Sequence, residues 1–125
     1  MLRDTHLAAV DNQDGILVGV VRHPMYGLEE AVDLNIPELG PPESLLEDFK
    51  QVADQVGHNE AVDKVDFERR YEDHLLCVQH KIASIVDLLE DDHDVWLVCY
   101  ENTNEKFCHR TLLKEHISDS LVANE

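Results

Sequence analysis

Two short apolar runs predict buried β-strands in this chain. The segments Ile16–Val21 and Val95–Tyr100 are rich in β-branched residues and show no polar alternation, which is typical of strands covered on both faces of a sheet. A shorter run, Thr5–Val10, precedes a cluster of turn-forming residues that ends at Gly15. The pattern therefore predicts a third strand, joined to Ile16–Val21 as a hairpin or through a tight loop.

Helical periodicity is clearest between residues 45 and 56. The apolar residues of this segment share one helix face, Pro42 suits a first turn, and Gly57 is placed to end the helix. The preceding residues 22–42 are irregular and contain all four prolines of the chain. We expect a long ordered loop there, with a short strand near Leu34–Ile36, and loops of this length are more often functional than idle.

From His58 onward the chain contains neither glycine nor proline, so helix ends must be predicted from apolar spacing alone. One apolar stripe runs from Phe67 to Leu89, after a candidate cap at Asp63, and permits either one long helix or two. A last helix is expected from near His109. This order of elements predicts an α/β fold: a small layered domain with a partly parallel central sheet and helices packed on it. We expect the two apolar strands to be central parallel neighbours, with the first predicted helix packed across the sheet.

The chain is strongly acidic. It carries 27 Asp and Glu against 10 Lys and Arg, a net charge of −17 over 125 residues. That charge is typical of halophilic proteins, which work in concentrated salt, although an acidic protein with a basic protein partner has the same composition. Direct nucleic-acid binding and membrane binding are disfavoured because the long-range electrostatic energy has the wrong sign. Three cysteines without disulfide-rich spacing, and no apolar run of membrane or signal-peptide length, favour a cytoplasmic location.

A candidate site is predicted around Cys108, His109 and Arg110, at the start of the last helix. Ligands of open α/β sheets bind beyond the carboxyl ends of the strands, and Arg22 and Glu101 follow the two apolar strands at that end. The helix dipole and Arg110 are expected to favour a Cys108 thiolate, and Glu101 could orient an arginine or exchange protons. Cys108 and Glu101 are therefore the catalytic candidates. The candidates for binding a small anion are Arg22, His109 and Arg110.

A structural role accounts for the same residues, because an arginine and a carboxylate at loop mouths often form an ion pair and a cysteine at a helix start often packs inertly. A phosphatase-like cradle is disfavoured, since residues 102–107 contain no glycine and the arginine follows the cysteine by two positions rather than six. No metal site is expected, because His74, Cys77 and His80 spread over a wide arc of a helix. No cofactor-binding motif occurs, so no cofactor is expected.

Several short motifs, in this order, resemble the domain of unknown function 488 family. The matching segments span nearly the whole chain: Val20–Pro24, Ile36–Pro41, Phe67–Tyr71, Leu97–Glu101 and Cys108–Leu113. The resemblance implies one compact α/β domain over residues 1–125 and a helix break around residues 77–80. It also implies a pocket near five matched residues: Arg22, Tyr71, Glu101, Cys108 and Arg110. On this ground Tyr71 joins the ligand-binding candidates, but the family name implies no reaction.

Two functions are compatible with these patterns. The first is a small-molecule site, in which Arg22 and Arg110 hold an anionic ligand and Cys108 is a possible nucleophile. The second is a non-catalytic interaction or regulatory module, whose acidic surface or 22–42 loop meets a protein partner. An open pocket lined by Arg22 and Cys108 would favour the first, whereas a dry and fully paired cluster would favour the second.

Overall fold

The computed structural model describes residues 1–12, 14–100 and 108–123 of the protein. Its strands are β1 (Leu2–His6), β2 (Ile16–Gly19), β3 (Leu34–Asn35) and β4 (Val95–Cys99). They form one sheet in the order β1-β4-β2-β3, and each neighbouring pair is parallel. The predicted α/β layered domain is confirmed, and so is the parallel central pairing of the two apolar runs.

Six helices are described along the chain. They are α1 (Leu28–Ala31), α2 (Glu43–Val56), α3 (His58–Lys64), α4 (Phe67–Cys77), α5 (Gln79–Glu90) and α6 (His109–Ala123). The backbone leaves helical geometry at Val78, so two helices follow the long apolar stripe, with the break that the family resemblance implied. In the part of the chain that the structure describes, no helix is both long and apolar enough to cross a membrane.

Helix α3 was not anticipated from the sequence. The chain reverses between α3 and α4 at Asp66, which has a left-handed φ of 55° and lies three residues after the predicted cap at Asp63. Aspartate tolerates this conformation better than most residues, so the turn forms without a glycine. A turn of this kind leaves no strong signal in the sequence.

The N-terminal strand differs from its prediction. β1 begins at Leu2 and pairs in parallel with β4, so the expected hairpin with β2 does not exist. The segment Leu7–Asn12 forms a 3-10 helix instead of continuing the strand. The apolar residues that suggested a strand are still used for burial, because Val10 reaches the core from the 3-10 turn.

Helix α2 packs mainly on α3 and α4 rather than across the sheet, which corrects a second prediction. Its Leu45 is fully buried, and its Phe49 ring meets the rings of His58 and Phe67 edge-on, at centroid distances of 5.0 and 5.8 Å. The sheet is contacted instead by α1, α5 and α6. As a result, α2 stands beside the carboxyl edge of the sheet and leaves a space there.

The irregular residues 22–42 are ordered, and they contain the short strand β3 that the sequence predicted. Tyr100, just beyond β4, fixes the start of this segment with its hydroxyl group. The Oη atom accepts a hydrogen bond from the Met25 amide at 2.5 Å and donates one to the His23 carbonyl at 2.9 Å. The segment is therefore anchored to the same sheet edge that α2 leaves open.

Candidate functional site

A cavity of about 220 Å³ lies at the carboxyl ends of β2 and β4. Arg22 lies just beyond β2, Cys99 and Tyr100 lie at the end of β4, and Cys108 precedes α6. Helices α2, α3 and α4 supply the opposite wall. The cavity therefore occupies the edge where the sequence predicted a site, because parallel strands bring their carboxyl ends together.

The lining of this cavity is apolar and cationic. Apolar contacts come mainly from Met25, Pro41, Leu46, Phe49, Phe67 and Tyr100. The basic and titratable nitrogen side chains are those of Arg22, His23, Lys50, His58 and His109. None of the described lining residues is an aspartate or a glutamate, although the chain has 27 of them. The charged side chains in the described part of the lining are thus basic, although the chain as a whole is strongly acidic.

Arg22 is half-buried and held by backbone carbonyl groups. Its Nε donates to the Pro41 carbonyl at 2.6 Å, and its Nη2 lies 3.5 Å from both the Gly40 carbonyl and His74 Nε2. Gly40 permits this approach, since a Cβ there would lie 2.5 Å from the Arg22 amide nitrogen. Among the described residues, no carboxylate forms an ion pair with this guanidinium.

Arg110 has a different environment and does not line the cavity. It is 2% exposed; its Nε donates to Asp4 Oδ2 at 2.8 Å and its Nη1 to the Thr5 carbonyl at 2.5 Å. Asp4 also accepts a hydrogen bond from Lys114 Nζ at 3.2 Å. Arg110 therefore ties α6 to β1, and the structure does not bring it together with Arg22.

His109 lines the cavity, but the backbone fixes its ring. Its Nε2 lies 2.6 Å from the Val20 carbonyl, and because a carbonyl can only accept, we assign the proton to Nε2. Nδ1, which lies 3.7 Å from Cys108 Sγ, is then unprotonated. Burial lowers the pKa of His109 to about 4; the Arg110 charge acts in the same direction and the Val20 hydrogen bond opposes it. His109 is therefore neutral at pH 7.

Tyr71, which the family resemblance placed near the pocket, lies behind its lining. It is fully buried, and its hydroxyl group donates to the Leu39 carbonyl at 2.5 Å. Burial raises the pKa of Tyr71, and the Arg22 charge opposes that effect. Its ring meets the His109 ring edge-on at 5.5 Å. Tyr71 can thus support cavity residues without being in contact with the cavity space.

The cysteines are arranged differently from the sequence expectation. The Sγ atoms of Cys99 and Cys108 are in contact, because β4 ends and α6 begins at the same sheet edge, but their Cα atoms are 7.8 Å apart, beyond the usual span of a disulfide. Cys77 is free and exposed. Arg110 Nη1 donates a hydrogen bond to Cys99 Sγ at 3.3 Å. The remaining catalytic candidate, Glu101, lies outside the described residues.

The sequence did not reveal the wall that α2, α3 and α4 contribute to the cavity. Phe49, Lys50, His58 and Phe67 reach it from three helices, and their common position depends on how those helices pack. One signal was available, since Lys50 is the only lysine or arginine among residues 43–63. Across residues 1–12, 14–100 and 108–123, no group of three or more His, Cys, Asp and Glu side chains is placed to hold a metal ion.

A protein-family model matches residues 4–121 and is described as "DUF488-N3a: Active DUF488-N3 subclade". No curated protein and no solved structure matches the chain. The matched residues include β2, β3 and β4, the cavity lining and the Cys-His-Arg segment. The chain therefore belongs to the domain of unknown function 488 family, within the subclade named DUF488-N3a.

Proposed function

We propose that this protein binds a small anionic ligand in the cavity, with Arg22 as its principal anchor. The observation that carries the proposal is the charge of the lining: Arg22 and Lys50 both contact the cavity, and neither has an ion-pair partner among the described residues. Such cations are unusual in a chain of net charge −17. A half-buried guanidinium loses solvation, and an anionic ligand would compensate for that loss.

The two cations have different roles in this proposal. The hydrogen bond from Arg22 Nε to Pro41 fixes the guanidinium before a ligand arrives, which lowers the entropic cost of binding. Lys50 projects from α2 as a flexible point charge. His23 contributes less because it already pairs with Glu43, and His109 contributes no charge because it is neutral at pH 7.

Isothermal titration calorimetry with benzoate and phenyl phosphate tests this proposal. We expect Arg22→Gln to weaken binding roughly 10- to 100-fold, because a hydrogen bond to a charged group contributes about 1.5–3 kcal/mol. Lys50→Ala should weaken binding less. Lys64→Ala is the matched control, since it removes the same charge from exposed α3 without touching the cavity.

Two results would contradict anion binding at this site. One is equal affinity in the wild-type and Arg22→Gln proteins, provided that their thermal unfolding shows both to be folded. The other is an equal loss in Lys50→Ala and Lys64→Ala, which would mean that only the net charge of the protein matters.

A second candidate is thiol chemistry at Cys108, which is supported by the position of its sulfur in the cavity lining beside the unprotonated Nδ1 of His109. The reaction requires the reduced form of the Cys99–Cys108 pair. The low pKa of His109 makes it a weak base, which counts against this candidate. The word "Active" in the description of the subclade is compatible with an enzyme but names no reaction.

Alkylation of the reduced, folded protein at pH 7, followed by mass spectrometry of each cysteine, tests this candidate. A nucleophilic Cys108 labels faster than Cys99, while exposed Cys77 serves as the internal reference. A benzoate-dependent slowing of Cys108 labelling, without an effect on Cys77, would place the thiol in the occupied cavity. A Cys108 as inert as Cys99 would end the covalent hypothesis and leave ligand binding intact.

A further inference from the structure

We infer that the ligand carries its negative charge on a body of the size of one aromatic ring. The inference rests on the proposed anion-binding function and specifies the uncharged part of the ligand. An inorganic anion would satisfy Arg22 and Lys50 but would leave the apolar walls of the cavity in contact with water. Those walls are the larger part of the lining, so they select for a ligand that covers them.

The apolar walls suit a flat ring. Phe49 meets Phe67 at a centroid distance of 5.8 Å and an interplanar angle of 71°, and Tyr100 contributes a third aromatic side chain from the end of β4. Aromatic rings attract one another in such edge-to-face arrangements because the ring edge is positive and the ring face negative. A ligand ring would extend the existing cluster in the same geometry.

The volume of the cavity limits the size of the ligand. A cavity of about 150 Å³ lined by apolar side chains is enough to hold benzene, whereas sites for drug-sized molecules begin near 300 Å³. The cavity at the sheet edge measures about 220 Å³. It therefore has room for one ring with a carboxylate or a phosphate group, and a second ring would have to remain outside.

Charged and apolar groups are interleaved in the lining. Arg22 follows Val21, and Lys50 follows Phe49, so each cation adjoins an apolar residue that also contacts the cavity. A ligand complementary to this lining has its charge within a few bonds of its apolar body. Benzoate and phenyl phosphate satisfy that condition, and acetate and benzamide each lack one half of it.

Calorimetric titration with benzoate, acetate, benzamide and 2-naphthoate separates these requirements. We expect benzoate to bind roughly 10- to 100-fold more tightly than acetate, the gain that burial of a phenyl-sized side chain provides. Benzoate should exceed benzamide by a similar factor because benzamide has no charge for Arg22. Binding of 2-naphthoate should be no tighter than that of benzoate.

Two variants test whether the ring of the ligand contacts Phe49 and whether its anionic group contacts Arg22. Phe49→Leu should reduce the affinity for benzoate and benzamide by a similar factor and leave the affinity for acetate unchanged. Arg22→Gln should reduce the affinity for benzoate and acetate but not that for benzamide. A thermal melt of each variant confirms that it is folded.

The failure of this inference differs from the failure of the proposed function. If acetate binds as tightly as benzoate and both depend on Arg22, the anion site stands and the ring requirement is overturned. If 2-naphthoate binds more than about 10-fold tighter than benzoate, the one-ring limit is overturned. If no anion shows Arg22-dependent binding, both the proposed function and this inference fail.

Discussion

Arg22 and Arg110 were both predicted to meet at one anion site, yet the structure gives them opposite surroundings. Arg110 is buried and carries its own carboxylate, Asp4, whereas Arg22 is half-buried and bonded only to neutral acceptors among the described residues. A buried charge is tolerated only when it is paired. The comparison teaches that, in an acid-rich chain, an arginine that already pairs with a carboxylate has an architectural role, whereas one bonded to neutral acceptors keeps its charge available, as the proposed ligand site requires.

The difference between the two arginines originates in β1. Asp4 pairs in register with Leu97 of β4, and the hydrogen bond from Arg110 places α6 over that position. Because β1 lies next to β4 rather than in a hairpin with β2, a carboxylate reaches the start of α6. Among the described residues, no strand carries a carboxylate to Arg22, which follows β2 and meets the Gly40 and Pro41 carbonyls and His74.

The largest expected effect is on stability, from Arg110→Ala. The expected cost is about 3–5 kcal/mol, because the buried guanidinium makes two charge-assisted hydrogen bonds, one to Asp4 and one to the buried Thr5 carbonyl, and both are lost. The matched control is Arg69→Ala, which breaks exposed pairs with Asp66 and Asp73 and should cost less than about 1 kcal/mol. Urea unfolding measures both free energies. If Arg110→Ala and Arg69→Ala lower the free energy of unfolding equally, Arg110 has no special architectural role and the distinction from Arg22 is contradicted.

A pH effect of about 3 kcal/mol is expected from His109, whose pKa falls from about 6.5 in the unfolded chain to about 4 in the folded protein. As the pH falls, His109 takes up a proton in the unfolded chain at a higher pH than in the folded protein. The contribution of neutral His109 is therefore fully present above pH 6.5 and decreases as the pH falls to 4. His109→Gln keeps a donor for the Val20 carbonyl but does not titrate. Urea unfolding from pH 4 to 7 should show a smaller pH dependence in this variant, and equal slopes would contradict the neutral assignment.

The sequence predicted those parts of the fold that depend on local pattern. The runs that became β2 and β4 are continuous and β-branched, and the helix of residues 45–56 has one apolar face, so each was recognisable without its neighbours. β1 was misplaced because its residues, Leu2–His6, are largely polar, and only pairing with β4 makes them a strand. The turn at Asp66 carried no glycine or proline to mark it.

The sequence predicted where the candidate site lies in the fold, but not which side chains line it. The rule that ligands bind beyond parallel strands located Arg22, Cys108 and His109 at the cavity. It could not separate Arg110 from that group, because the pairing with Asp4 joins residues more than one hundred positions apart. The wall formed by the α2–α4 helices depends on helix packing, which the spacing of apolar residues does not determine.

A smaller effect, about 1–2 kcal/mol, is expected from Tyr71→Phe, because the buried Leu39 carbonyl loses its donor. This bond lies beside the Gly40 and Pro41 carbonyls that hold Arg22, so the affinity for benzoate should also fall by a few-fold. Tyr26→Phe is the control, since Tyr26 is 80% exposed, and it should leave stability unchanged. Thermal melts and calorimetry test both effects. A loss of stability with unchanged affinity would mean that Arg22 is held independently of Tyr71.

The smallest expected effect is that of salt on the free energy of unfolding, about 1 kcal/mol. This experiment distinguishes the contribution of the Arg110–Asp4 pair from that of the acidic surface. The Debye length shrinks from about 30 Å at 0.01 M to about 3 Å at 1 M, so salt screens repulsion among exposed carboxylates more than it screens Arg110 and Asp4, whose side chains are 3% and 23% exposed. We expect the melting temperature to rise by about 4 °C between these concentrations.

Sodium chloride suits the salt experiment better than sulfate, because sulfate is also a candidate ligand for Arg22. The destabilisation caused by Arg110→Ala should change little between the two concentrations, since Arg110 is buried and Asp4 is only partly exposed. The melting temperature of the wild-type protein should rise with salt, while the difference in stability between the wild type and Arg110→Ala stays nearly constant. An unchanged or lower midpoint in 1 M salt would remove the interpretation of the acidic surface as an adaptation to concentrated salt. A difference that shrinks with salt would show that dissolved ions screen the Arg110–Asp4 pair as they screen an exposed pair, and the contrast between Arg110 and Arg22 would then be one of degree.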